Sequence, residues 1–287
     1  MRIAIVGAGR VGTALGVLLG RAGHDVAAVA GGAATRERAT TWLPGIPVLE
    51  PIEAARRGEL VLLAVPDDRI GAVAAVLAGD GAVGPGIWVA HTSGARGLDV
   101  LAPVLDVGGR RLLLHPLQTF PDVERAIDTI PGCTVAITAD DEGGFALGES
   151  LARDLRTSPF RLRDEVRPLY HAAAVFASNY LVAISGIAER LLREAGVPDP
   201  QAALRPLQAA TLDNVGRLGA AEALTGPAVR GDFGTIARNL EALAATAPDT
   251  VPAYVALCRV ALDLAEKAGR LMPAARAEVE EVLARWS

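Results

Sequence analysis

Cysteine, lysine and aromatic side chains are scarce in this chain. Its only cysteines, Cys133 and Cys258, lie far apart with no paired spacing, which argues against a disulfide framework or a zinc site, and no metal is expected. Both thiols read as small buried hydrophobes. Lys267 is the only lysine, and the arginines are scattered along a chain of net charge −5. That leaves no electrostatic footprint for nucleic acid. Strand-forming residues follow Met1-Arg2 directly, so no targeting segment is expected. The longest apolar stretch, Ala172 to Ala188, is interrupted by Ser178, Asn179 and Ser185 and is marginal in length for a membrane span. It reads as a buried helix of a soluble, cytoplasmic protein with no membrane partner.

What is present begins at the N-terminus. Ile3 and Ile5 lie in a short apolar run suited to a buried parallel strand, and Thr13 to Ala22 has apolar residues at helical spacing. Between them Gly7-Ala8-Gly9-Arg10-Val11-Gly12 spells G-x-G-x-x-G. Gly7 permits the tight turn, Gly9 lets backbone approach a pyrophosphate, and Gly12 lets the helix pack against the strand. The helix start offers free N–H groups and a positive dipole end, so a dinucleotide is the expected ligand.

Strands and helices alternate through the first half: strands at 25–30, 46–49, 59–65, 87–90, 110–114, 133–138 and 159–162, and helices at 67–78, 97–105 and 142–155. Such alternation implies an α/β fold, a Rossmann-type doubly wound parallel sheet with helices on both faces. From Asp164 onward every signal is helical. At 287 residues two domains are expected: 1–163 binding the dinucleotide, and an all-α 164–287.

No carboxylate closes the second strand, where NAD-preferring folds bind the ribose hydroxyls; Ala30-Gly31-Gly32 stands there, followed by Thr35, Arg36 and Arg38. A guanidinium at this place suits a 2′-phosphate, so NADP is preferred over NAD, with Thr35 and Arg36 as its contacts. Val65-Pro66, after the fourth strand, should lie along the cofactor.

Three polar stretches fall where a crevice is expected: His91-Thr92-Ser93-Gly94-Ala95, His115-Pro116-Leu117-Gln118-Thr119, and Tyr170-His171 through Ser178-Asn179 on the long helix. Reducing a ketone requires a proton donor beside the carbonyl oxygen, and histidine suits that task. His115 and His171 are the candidates; the alternative for each is a structural histidine. Ser93, Ser178 and Asn179 are candidates to orient substrate, with His91, Thr92 and Gln118 lining it. His171, Ser178 and Asn179 are expected to share one broad helical face. Arg230, on a glycine-framed loop before Asp232, is placed to clamp a carboxylate.

These motifs, with Leu62 to Asp68, Leu169 to Tyr180 and Leu224 to Asp232, resemble the Rossmann-like, DUF2520-containing oxidoreductases. The wider superfamily takes in 6-phosphogluconate, β-hydroxyacid and prephenate dehydrogenases and ketopantoate reductases. The resemblance implies an NADP-type reductase of a small oxo acid, first 2-dehydropantoate, whose helical domain closes the site and makes a homodimer. His115-Pro116 is similar to the His-Pro motif of prephenate dehydrogenases, and Ser93 falls near their strand-end serine. The superfamily's helix lysine is missing, so His171 would replace it. Two other classes fit the same motifs: a non-catalytic NADP-binding sensor or partner module, and a deazaflavin-dependent NADP reductase.

Overall fold

The computed structural model describes residues 1–286, which divide into a compact unit Met1–Ser178 and a second unit beginning at Asn179. The first unit runs β1 (Arg2–Val6), α1 (Arg10–Arg21), β2 (Asp25–Ala30), α2 (Thr35–Trp42), α3 (Pro51–Ala55), β3 (Leu60–Leu63), α4 (Ile70–Gly79), β4 (Trp88–His91), α5 (Ala102–Asp106), β5 (Arg110–Pro116), α6 (Val123–Thr129), β6 (Thr134–Ala139), α7 (Glu142–Asp154), β7 (Ser158–Arg161) and α8 (Arg167–Ala177). The strands form one sheet in the order β2-β1-β3-β4-β5-β6-β7. Every neighbouring pair is parallel except β5 and β6.

Both faces of the sheet are covered, which is why its strands read as unbroken apolar runs. Ile3, Ile5, Leu60, Leu62, Leu112 and Leu114 pack with Leu15 and Leu18 of α1, Ile127 of α6 and Leu151 of α7. The alternate residues Val6, Val61, Leu63 and Val89 pack with Ala54 of α3, Ile70 and Leu77 of α4 and Val104 of α5. Two-residue alternation thus divides one sheet between two cores.

One expected strand is corrected. The stretch 46–49 makes only an isolated bridge, Val29 with Val48. Val29 donates to the Pro47 carbonyl (3.0 Å) and Leu49 to that of Val29 (2.9 Å), but Pro47 has no N–H with which to extend the ladder.

The long helical stretch also differs from expectation. It bends at Ser178 (φ −123°, ψ −68°), where α8 ends and α9 (Asn179–Glu194) begins. No residue of α9 is buried within the chain. The segment Asp164–Glu194 is long and apolar enough to cross a membrane by length and composition. Its large side chains, among them Leu169, Phe176 and Val182, are exposed. A helix apolar on most sides was expected to be buried; here the described residues do not bury it.

The second unit continues with α10 (Pro200–Leu218), α11 (Ala220–Ala223), α12 (Pro227–Arg230), α13 (Phe233–Thr246), α14 (Val251–Lys267) and α15 (Pro273–Ala284). Its core is Ile236, Leu240, Val255, Leu262, Val279 and Leu283, from α13, α14 and α15. Asp232 caps α13 by accepting from the Thr235 amide (3.0 Å) and hydroxyl (2.8 Å), as its position before a helix suggests.

Candidate active site

The turn between β1 and α1 has its backbone pinned and its outer side open. Gly7 takes φ +101°, and a Cβ there would lie 2.6 Å from the Ala64 carbonyl carbon and 2.7 Å from the Val65 nitrogen. At Gly12 a Cβ would sit 2.3 Å from the Gly7 oxygen, whereas at Gly9 it would meet nothing nearer than 4.0 Å. The first two glycines are required for packing, and the third keeps backbone bare toward whatever lies outside. Gly7 and Ala8 donate to the Ala30 carbonyl (2.8 and 3.0 Å), tying the turn to β2. No side chain caps α1; its first intrahelical bond is Thr13 to the Gly9 carbonyl, so the Arg10, Val11 and Gly12 amides have no partner within the helix. Those amides over a bare Gly9 fit a pyrophosphate. Val65 is half-buried beside the turn and Pro66 is exposed after it.

The arginine nearest this turn is not the expected one. Thr35 is 1% exposed, and a Cβ on Gly31 would lie 2.3 Å from its hydroxyl; Thr35 fills the space beneath Gly31 and is withdrawn as a cofactor contact. Arg36 is exposed on the outer side of α2. Arg38 instead bonds through Nε to the Ala8 carbonyl (3.0 Å), which also accepts from the Thr13 hydroxyl (3.1 Å). The signal was available, since Thr35, Arg38, Ala39 and Trp42 follow the i, i+3, i+4, i+7 spacing of an inward helix face.

Two histidines end adjacent strands. His91, last in β4, is 0% exposed. Its Nδ1 accepts from the Ser93 amide (3.2 Å) and its Nε2 meets the Gly97 carbonyl (3.0 Å). An amide can only donate and a carbonyl only accept, so the proton sits on Nε2. Burial, joined by the Arg167 charge, pushes its pKa down to about 4. Ser93, 6% exposed, accepts from the Ala95 (3.2 Å) and Arg96 (3.0 Å) amides. Both side chains hold the 92–97 turn. His91 is therefore corrected from a substrate contact to a scaffold residue, and Ser93 is turned inward; Thr92 is half-buried between them.

His115, near the end of β5, is half-buried, and its Nδ1 lies 2.7 Å from the Tyr170 hydroxyl. The rings meet edge to face at 5.5 Å, and Phe160 stands 6.0 Å from the tyrosine ring. A Cβ on Gly94 would lie 2.7 Å from His115 Nε2, so only glycine leaves that side of the imidazole clear. Burial first, then the charges of Arg167 and His171, lower the His115 pKa to about 4. Burial raises that of Tyr170 to about 12. At neutral pH both are uncharged. An imidazolium donor would be present in about one molecule per thousand at pH 7, so any proton His115 gives must come from a neutral N–H.

Arg167 was not a candidate from sequence, where an arginine reads as surface. It is 1% exposed. Nε bonds to Asp164 (3.0 Å), Nη2 donates to the Thr138 hydroxyl, and Nη1 is buried with no partner among the described residues. Asp164 also accepts from the Leu98 amide (2.7 Å). This pair links the turn after β4 to the start of α8 and puts a positive charge beside both histidines.

The remaining candidates are not gathered. His171 lies near enough to His115 to depress its pKa, but its own Nδ1 is buried with no partner among the described residues. Ser178 and Asn179 do not continue its helical face, because the backbone turns at Ser178 and the two fall in different units. Gln118 is exposed and folds its side-chain oxygen onto the Thr119 amide (2.8 Å). Arg230 is exposed at the end of α12; Asp232 is held below the usual carboxylate range by Thr235 first and by Arg230 and Arg238 after it. No cluster of potential metal ligands occurs among the described residues.

Comparison with known proteins agrees with this geometry. A Rossmann-like domain matches residues 1–116, and the domain of unknown function DUF2520 matches residues 133–261. The chain is a Rossmann-like, DUF2520-domain oxidoreductase. A glycerol-3-phosphate dehydrogenase [NAD(P)+] of Azorhizobium caulinodans is 36% identical over 260 residues, covering 81% of this chain and 73% of that one. Protein BF3122 of Bacteroides fragilis, a candidate NADP oxidoreductase, has the same fold at 24% identity, TM-score 0.77, with 91% of this chain and 98% of that one covered. Protein TM1727 of Thermotoga maritima matches at 23% identity, TM-score 0.73, over 93% and 99%. This DUF2520-domain oxidoreductase is an enzyme of the NAD(P)-dependent class with a nicotinamide cofactor.

Proposed function

We propose that this enzyme is an NADPH-dependent reductase of a small oxo acid, with His115 as its proton donor. The observation that carries the reading is one imidazole with a partner on one nitrogen and a glycine beside the other, at the carboxyl end of β5. Ligands in open α/β sheets bind outside that edge. When bound, a reduced nicotinamide supplies hydride to a carbonyl carbon. The chain's own part is to hold the phosphates on the Arg10, Val11 and Gly12 amides and to offer the carbonyl oxygen a proton. Arg38, already fixed on the turn, is the side chain suited to a 2′-phosphate; this favours NADP over NAD. His171, whose Nδ1 is closed in, is the weaker donor candidate.

Among oxo acids 2-dehydropantoate stands first, a choice resting on the family resemblance. Following NADPH absorbance against a panel of oxo acids tests it. Turnover with at least one member is expected. Tight NADPH binding with no turnover of any member would instead favour a sensor or partner module, and a need for a second bulky cofactor would favour a deazaflavin-dependent reductase.

The exposed apolar side chains of α8, α9 and α10, including Phe176, Val182, Leu207 and Leu212, are proposed to be covered by a second copy of the chain. Charged residues along α9, such as Arg190 paired with Asp249 (2.8 Å), suit a protein surface better than a bilayer. Light scattering of the purified protein should give twice the chain mass. The two free cysteines suit a reducing cytoplasm.

A further inference from the structure

The geometry points to Tyr170 as a positioning residue that acts through His115: its hydroxyl donates to Nδ1, leaves the ring proton on Nε2, and passes its own proton to Nδ1 as the Nε2 proton is given away. The inference rests on the reductase reading above for its chemistry, but its structural half stands without it.

Three observations converge on it. The Tyr170 oxygen is 2.7 Å from Nδ1, close enough for a hydrogen bond along which a proton can pass. Gly94 leaves Nε2 the open nitrogen, so the useful tautomer is the one with its proton there, and a hydroxyl donor at Nδ1 selects it. Tyr170 is only half-buried, so it is not sealed from the solvent that supplies protons. The buried Arg167 charge works in the same direction, because a cation beside the imidazole disfavours imidazolium. His115 then works as a neutral donor, which a lone neutral imidazole does poorly because it would be left as an anion.

The step balances. The carbonyl carbon of the oxo acid gains hydride, with its electron pair, from the dihydronicotinamide, which is oxidised. The carbonyl π pair moves to oxygen, which forms a new O–H bond as the Nε2–H bond breaks. Nδ1 takes the Tyr170 hydroxyl proton, leaving phenolate, and the pair resets when Nε2 takes a proton from water and Nδ1 returns its own to the tyrosine oxygen. The net change is one hydride and one solvent proton added to the carbonyl.

Two measurements on native protein and Tyr170→Phe test this. Nitrogen-15 NMR of the histidine rings, without cofactor, should show His115 Nδ1 as a hydrogen-bonded acceptor, and its resonance should move toward that of a bare acceptor in the variant. In turnover, Tyr170→Phe should lower kcat about ten- to a hundredfold with KM changed less than about threefold. The curved proton inventory of the native enzyme in mixed light and heavy water should become linear. A native Nδ1 that carries the proton, or a resonance unmoved by the substitution, overturns the proposal even if oxo acids are reduced. A moved resonance in a protein that reduces no oxo acid sustains the positioning role and overturns the reductase reading instead.

Discussion

The ends of β4 and β5 carry the same residue in similar polar surroundings, yet the two histidines do opposite work. His91 spends both ring nitrogens on backbone groups of its own turn and is sealed from solvent. His115 spends one on a tyrosine hydroxyl and keeps the other beside a glycine. Both are held neutral by burial and by the same arginine. What separates scaffold from site is therefore the account of partners at each nitrogen, not residue type, strand position or pKa.

Substituting each in turn should break the pair apart. His115→Ala should cost about 10²- to 10⁴-fold in NADPH turnover, with the melting temperature little altered and NADPH binding kept, since its one hydrogen bond is to a half-buried tyrosine. His91→Ala should do the reverse. It strands the Ser93 amide and the Gly97 carbonyl, so denaturant unfolding should show a loss of about 2 kcal/mol or more, while NADPH affinity holds because the glycine turn is untouched. If the two variants behaved alike, the distinction would be lost.

Acid acts on both histidines alike, and a variant isolates the part that belongs to His91. His91 has a folded-state pKa of about 4 against an ordinary value near 6.5, so between those values the unfolded chain binds more protons than the folded one. Its contribution is fully present above about pH 6.5 and is lost as the pH falls toward 4, by about 3 kcal/mol in all. His91→Asn, which cannot titrate, should remove the His91 share of that slope and leave the share of His115, whose pKa is lowered over the same range.

A smaller effect separates two arginines of α2. Arg38→Ala should weaken NADPH about tenfold and NADH by no more than about twofold, as expected for one charge-assisted contact to a phosphate. Arg36→Ala should change neither, because Arg36 is exposed and it is Arg38 that is fixed on the turn. Equal losses for both coenzymes at Arg38 would show that it braces the turn through Ala8 rather than reading the phosphate.

Much of this was legible in the residues. The β1–turn–α1 unit follows from a short apolar run, three spaced glycines and a helical stripe, and Asp25–Ala30 is a strand as its composition suggests. The change to helices near Arg163 was equally plain. Less was legible where the deciding partner is distant or is backbone. Nothing local announces that β6 runs antiparallel to β5, that Arg167 is buried, or that Tyr170 reaches His115 across 55 positions of sequence. His91 looked like a ligand because its true partners, an amide and a carbonyl, leave no mark in a sequence. The exposed faces of α8 and α9 were legible only in part, because apolar composition says that a surface needs cover without saying which molecule covers it.

The claim at the centre is that His115 gives its proton as a neutral imidazole, and the pH dependence of kcat/KM for NADPH oxidation by a turned-over oxo acid tests it most directly. With a pKa of about 4, the rate should stay level between about pH 5 and 8, because the donor form does not change across that range. A rate that climbs about tenfold per unit as the solution is acidified from pH 8 to 6.5 would mean that imidazolium is the donor, and would contradict the account.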